Sequence, residues 1–236
     1  MGSGIGIGLL GLGTVGGGVA SILQSPSERH PLVADLKLVR VAVRDLNRPR
    51  SVELPIEILT TDPAVVVNDP AVDVVVEVIG GIEPARSLIL QAMAAGKSVV
   101  TANKAVIARH GEEIADAATK AGVYVLIEAA VGGGIPIIEP LKQSLGGNRI
   151  NRVSGIINGT TNYILTRMAD EGAAYESVLK DAQELGYAEA DPAADVDGLD
   201  AADKIAILAN LAFGGSVERS GVPTAGISQL QGRDVD

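Results

Sequence analysis

From Ile5 to Leu10 the chain is apolar or glycine at every position, and beyond Gly11-Leu12-Gly13-Thr14-Val15-Gly16 apolar residues return at Val19, Ala20, Ile22 and Leu23 with helical spacing. A buried strand, a tight turn and a helix follow from that pattern. Further strands are predicted over residues 36–43, 56–60, 72–79, 98–101 and 123–127. Helices are predicted over 84–95, closing at Gly96, and 105–121, closing at Gly122. Thr61-Asp62-Pro63 reads as an N-cap with proline at the first helical position. Strands alternating with helices imply right-handed βαβ crossovers and hence a doubly wound parallel sheet, the Rossmann arrangement.

The pattern changes near Gly132-Gly133-Gly134. Beyond it a helix is predicted over 136–145, a strand over 152–157, helices over 161–169 and 174–185, an acidic loop over 189–197 and a helix over 199–212. The expected organisation is α/β: a dinucleotide-binding domain over residues 1–130, then an α+β substrate and catalytic domain over 131–236.

Composition narrows the function. With no Trp and one Phe, the cores must be built from Val, Ile, Leu and Ala, which suits strands buried on both faces. A formal charge of −10 opposes phosphate backbones and anionic lipid, so nucleic acid and membrane surfaces are not expected partners. There is no cysteine, which removes thiolate metal sites and any mechanism through a cysteine nucleophile. Met1-Gly2-Ser3-Gly4 has no basic region, and no apolar run reaches the roughly 20 residues of a membrane helix, so a cytoplasmic location is expected.

A G-x-G-x-x-G match is weak in a chain with 29 glycines, but its place after a strand and before a helix gives each glycine a task. Gly11 permits the tight turn, Gly13 lets backbone approach a pyrophosphate, and Gly16 allows helix to pack on strand. The second strand ends Val43-Arg44-Asp45. An arginine there accommodates the 2′-phosphate of NADP and an acid grips the 2′-OH of NAD. NADP(H) is favoured and NAD(H) stays possible; Arg44 paired with Asp45 on the surface is the bland alternative.

Glu189, Asp191, Asp195, Asp197, Asp200 and Asp203 crowd together ahead of Lys204. Asp200 and Lys204 stand four apart and could form a surface ion pair worth about 0.3–0.5 kcal/mol. A calcium loop fails on spacing, because aligning Gly198 with the loop glycine puts Lys204 where a bidentate Glu belongs. The third reading is a polar pocket whose carboxylates hold a cationic amino group while the lysine handles a proton.

Together with the glycine motif, four blocks resemble homoserine dehydrogenase: Thr101-Ala102-Asn103-Lys104, residues 128–136, Gly155-Ile156-Ile157-Asn158-Gly159-Thr160-Thr161-Asn162-Tyr163, and the run from Ala182 to Gly214. The resemblance implies reversible NAD(P)-dependent reduction of L-aspartate 4-semialdehyde to L-homoserine, on the route to threonine and methionine. It makes Lys204 the proton donor and Lys104 its catalytic partner, with Glu189, Asp195 and Asp200 binding substrate. Thr14, Val15, Arg44, Thr101, Lys104 and Gly186 resemble cofactor contacts beside Gly11, Gly13 and Gly16. Glu128, Val131, Gly133 and Ile135 match a family sodium site, where carbonyl oxygens would be suitable hard ligands. A homo-oligomer is expected. The family's pattern runs on past residue 236 by about a small domain, so the second domain is expected to be partial, and Ala225 stands where the family usually has an acid.

Aspartate-semialdehyde dehydrogenase, the nearest enzymatic rival, needs a cysteine that this chain lacks. A dinucleotide-binding sensor or catalytically dead fragment remains the alternative from another class.

Overall fold

The computed structural model describes residues 4–235, so Met1, Gly2 and Ser3, part of the opening read above for a targeting segment, lie outside it. Two units divide the chain, residues 1–136 and 137–236.

In the first unit six parallel strands form one sheet: β1 (Ile5–Leu10), β2 (Leu36–Ala42), β3 (Leu59–Thr60), β4 (Val74–Glu77), β5 (Ser98–Thr101) and β6 (Val125–Leu126), in the order β3-β2-β1-β4-β5-β6. That order reverses direction between β1 and β4, the crevice where doubly wound sheets bind dinucleotides at their carboxyl edge. Leu9, Leu10, Val41, Val75 and Val99 are completely buried, as strands covered on both faces require. The crossovers carry α1 (Thr14–Gln24), α2 (Pro63–Asn68), α3 (Ala85–Ala94) and α4 (Lys104–Ala121). Asp62 caps α2 by accepting from the amide of Ala64 at 2.9 Å, and Gly122 closes α4 in the left-handed conformation. The third predicted strand is mostly a 3-10 turn, Ile56–Ile58, leaving only Leu59–Thr60 to pair.

The second unit holds α5 (Gly159–Glu171), α6 (Tyr175–Glu184), α7 (Ala193–Val196), α8 (Leu199–Phe213) and α9 (Gly232–Val235). Ile164 and Met168 of α5, Tyr175, Val178 and Ala182 of α6, Ala188 and Val196 form its buried core. Two expectations are corrected here. The segment 152–157 is not a strand: it makes no backbone–backbone hydrogen bond among the described residues, and a strand exists only by pairing. The predicted helix over 136–145 is largely one π-helical stretch, Pro140–Ser144, because Pro140 has no amide to give an α-helical ladder.

One of the close approaches in the first unit is at Gly16. A Cβ built there would lie 2.1 Å from the Gly11 carbonyl oxygen, whereas one at Gly18, on the open side of α1, meets nothing within 4 Å. Gly16→Ala is expected to cost about 1–3 kcal/mol of stability by overpacking. Gly18→Ala should instead add about 0.5–1 kcal/mol by restricting the unfolded chain. Urea unfolding of the two variants beside the parent checks the contrast; equal effects of the same sign would refute it.

Candidate functional site: a dinucleotide crevice and a lysine-carboxylate cluster

The carboxyl edge of the sheet is built from three turns. Gly11 has φ +102°, and a Cβ there would meet the Val78 carbonyl oxygen at 2.9 Å, so the first turn rests directly on the chain leaving β4. Gly13, exposed and with room for a Cβ that would meet nothing within 4 Å, caps α1 without a side-chain bond. The amides of Thr14, Val15 and Gly16 then open the helix with no intrahelical partner and no acid in the first turn to take them. Exposed N–H groups at the positive end of a helix form a seat for pyrophosphate.

Behind this turn lies a buried hydrogen-bond ring that the sequence reading missed. Glu77, wholly inaccessible at the end of β4, accepts from the Ile79 amide at 2.9 Å and from the Thr101 hydroxyl at 2.6 Å. Thr101 in turn accepts from the Asn103 amide at 2.9 Å. Asn103 caps α4 through the Val106 amide at 3.2 Å and donates its NH₂ to the Gly81 carbonyl at 2.7 Å. The ring ties the loop after β4 to the loop after β5 and fixes where α4 begins, with Lys104 as its first residue. Thr101 is therefore buried in this ring.

Arg44 is exposed just past β2 and makes no ion pair with Asp45. The Asp45 carboxylate accepts from the Asn47 amide at 2.9 Å, while Arg50 donates to the carbonyls of Asp45, Leu46 and Arg48 and holds the loop shut. The bland Arg44–Asp45 pair does not form.

In the second unit the i,i+4 pair is not on the surface. Lys204 Nζ lies 2.8 Å from Asp200 Oδ2, the two side chains only 16% and 8% exposed, and donates to the Ile157 carbonyl at 2.7 Å. Asn158, buried as the cap of α5, donates its NH₂ to Asp195 Oδ1 at 2.7 Å and to Asp200 Oδ2 at 3.0 Å. Lys204, Asp200 and Asp195 are thus brought into one cluster. Glu189 is exposed, and its carboxylate joins no ion pair or hydrogen bond among the described residues; only its main-chain carbonyl is bonded, by Gln183 at 3.1 Å. Gly186, in the left-handed conformation after α6, is also exposed. No group of three or more His, Cys, Asp or Glu side chains suited to a metal occurs among the described residues.

Residues 128–135 form a bend in which the Ile135 amide donates to the Gly132 carbonyl at 3.1 Å. The carbonyl oxygens of Val131, Gly133 and Ile135 take no hydrogen bond among the described residues. Backbone oxygens at such a bend, with the Glu128 carboxylate in the same segment, are a donor set of the kind a hard cation accepts.

Models of two families match this chain: "Homoserine dehydrogenase, NAD binding domain" over residues 11–128 and "Homoserine dehydrogenase" over residues 136–236. The chain belongs to the homoserine dehydrogenase family. A homoserine dehydrogenase of Synechocystis is 64% identical over 229 residues, 97% of this chain and 53% of the relative. The crystal structure of a homoserine dehydrogenase from Thiobacillus denitrificans superposes with a TM-score of 0.89 at 51% identity, covering 98% of this chain and 54% of that one. A hyperthermophilic archaeal homoserine dehydrogenase in complex with NADPH gives 0.82 at 27% identity, covering 98% and 76%. The chain spans about half the length of the curated relatives it matches. No helix among the described residues is long and apolar enough to cross a membrane.

Two residues of the family fold escaped the sequence reading for different reasons. Glu77 ends an apolar run and looks like the first exposed residue after a strand. Asn158 stood in a quoted block, where an Asn ahead of a helical run is a cap signal, but nothing in spacing reveals what its NH₂ would meet. Removing the Glu77 carboxylate should orphan two buried donors. Glu77→Ala is expected to lose about 1–3 kcal/mol per orphaned group and to weaken dinucleotide binding. Glu77→Gln, which keeps an acceptor oxygen, should lose less. Urea unfolding and cofactor fluorescence titration measure both; an unaffected Glu77→Ala would show the ring to be dispensable.

Proposed function

We propose that this chain carries the cofactor- and substrate-binding core of an NAD(P)-dependent homoserine dehydrogenase, interconverting L-homoserine and L-aspartate 4-semialdehyde. The observation that carries the reading is the environment of Lys204. An ammonium has three N–H donors, and Lys204 commits two, to Asp200 and to the Ile157 carbonyl. The third has no partner among the described residues, and a carbonyl oxygen becoming an alkoxide needs such a donor within hydrogen-bond reach. Asp200 holds the ammonium in place for that step, and in the reverse direction the neutral amine would accept the hydroxyl proton.

Bound nicotinamide supplies or accepts the hydride at C4. The amides of Thr14 and Val15, with Gly11, Gly13 and Gly16, would hold the pyrophosphate, and Lys104 stands at the carboxyl edge of β5, where this fold receives its ligand. Thr101 serves from beneath, by fixing the start of α4. Gly186, exposed and without a side chain, would let a cofactor or substrate approach the backbone after α6. Glu189 is an exposed, uncommitted carboxylate suited to the substrate's ammonium, and Asp195 completes the acidic surround. Arg44, free of Asp45, suits a 2′-phosphate, which favours NADP(H). The Val131, Gly133 and Ile135 carbonyls with Glu128 fit sodium, which would neutralise the acid and pin the bend.

Homoserine oxidation assayed with each cofactor tests the reading; cofactor binding without turnover would leave a dinucleotide-binding module instead. Lys204→Met is expected to cut turnover by about 10²–10⁴-fold with cofactor affinity nearly intact. Collapse of both would mark the Asp200 pair as structural. Arg44→Ala should weaken NADP(H) by about 1.5–3 kcal/mol, the range for hydrogen bonds to charged groups, and NAD(H) far less. Equal losses in a side-by-side titration would remove the 2′-phosphate assignment.

A further inference from the structure

The cluster around Lys204 contains one uncharged member, and its chemistry is not interchangeable with that of its neighbours. Asn158 Oδ1 accepts from the Thr161 amide at 2.8 Å and the Thr161 hydroxyl at 2.9 Å. Since an amide N–H can only donate, the Asn158 side chain must turn its oxygen toward α5 and its NH₂ away from it. Its two N–H groups then meet Asp195 Oδ1 and Asp200 Oδ2, one each. Asp200 Oδ2 is also the atom that holds Lys204, and the lysine's other partner is the carbonyl of Ile157, the residue before Asn158. One dipeptide therefore sets both contacts of the ammonium: Ile157 directly, Asn158 through Asp200.

We propose that Asn158 is a positioning residue for the reaction: by bridging Asp195 and Asp200 it fixes the carboxylate oxygen on which the Lys204 ammonium rests, and so the direction of the donor left for the substrate. The inference rests on Lys204 being the proton donor of the proposed function. Two carboxylates approaching one cation would otherwise compete for it and repel each other. A neutral two-donor bridge holds both without adding charge, so that Asp200 keeps the lysine and Asp195 stays beside it. Aspartate could cap α5 equally well, because the cap needs only an acceptor. It has no N–H to give, and it would add a third negative charge to the group. Serine caps too, but has a single short hydroxyl in place of the two-donor amide. The bridge, not the cap, is what requires asparagine here.

That difference separates the proposal from a purely structural role. Asn158→Ser and Asn158→Asp both preserve an N-cap acceptor, and Asn158→Ala preserves neither function. Expected are serine and aspartate variants that still unfold cooperatively, at a somewhat lowered melting temperature because two carboxylates lose a donor, with kcat for homoserine oxidation down on the order of 10²-fold, the cost of misplacing a reacting group by about 1 Å, and the KM for cofactor unchanged. Rescue of kcat by either capping variant would overturn the proposal and leave Asn158 as a helix cap. A second measurement does not depend on turnover. In a ¹H–¹⁵N correlation spectrum of lysine side chains, the Lys204 ammonium, assigned by its absence in Lys204→Met, should be protected in the parent and shifted or exchange-broadened in Asn158→Ser and Asn158→Asp. An unchanged resonance in both would refute the positioning role whatever the assay shows. A parent with no homoserine oxidation but with the expected spectral change would sink the proposed reaction while leaving the geometry of Asn158 standing.

Discussion

A helix begins with backbone N–H groups that have no partner in the helix, and in this chain two asparagines settle that need where chemistry is placed. Asn103 accepts from the Val106 amide and Asn158 from the Thr161 amide. In both, capping consumes the side-chain oxygen and leaves the NH₂ aimed elsewhere. Asn103 spends it on the Gly81 carbonyl, locking the loop after β4 against the start of α4 and thereby locating Lys104. Asn158 spends it on two carboxylates that surround Lys204. Either asparagine could be replaced by aspartate or serine if capping were the whole task. Each lysine is thus placed by a cap whose second half reaches out of its helix.

The Glu77 ring extends the same logic into the sheet. A wholly buried carboxylate is costly unless charge-assisted donors meet it, and Ile79 and Thr101 are those donors. Because the Gly11 turn lies against Val78 and Ile79, the segment that Glu77 fixes also supports the turn that would receive pyrophosphate. Stability and cofactor geometry are coupled at this edge, and a substitution in the ring acts on both.

The parts of this fold legible in the sequence are those governed by local periodicity and by residues with one conformational use. β1 and β5 match their predicted limits, and α3, α4, α5, α6 and α8 begin and end within about two residues, since Gly96, Gly122 and apolar spacing mark them. The strand predicted over 152–157 failed because strand propensity is only a promise of pairing, and no partner strand pairs with it among the described residues. The turn at Gly11, Gly13 and Gly16 and the Asp200–Lys204 spacing were legible because a local motif supplied them. What the sequence left hidden are side-chain bonds between distant positions: 24 residues separate Glu77 from Thr101, and 37 and 42 separate Asn158 from Asp195 and Asp200. No periodicity encodes them.

Charge crowding on α8 shows why spacing alone could not decide between a structural pair and a reactive one. Asp200 and Asp203 are both buried near the start of that helix, and each holds a cation. Asp203 meets the Nε of Arg219 at 2.5 Å, and the same guanidinium reaches the Leu199 carbonyl at 3.3 Å, pinning the loop after α8 back onto the helix start. Asp200 meets Lys204, one turn away on the same helix. An i,i+4 pair is the commoner surface arrangement and would rank as the less informative of the two. The physical distinction lies in the cations. A guanidinium is never deprotonated in a protein, so Arg219 can bind but cannot give up a proton, whereas a lysine ammonium can pass its proton to an alkoxide. Exchanging the two cations would keep both ion pairs in form and leave the helix without a group able to give up a proton. Under the proposed function it is the identity of the cation, together with the third N–H of Lys204, that would separate a pair able to pass a proton from a purely structural one.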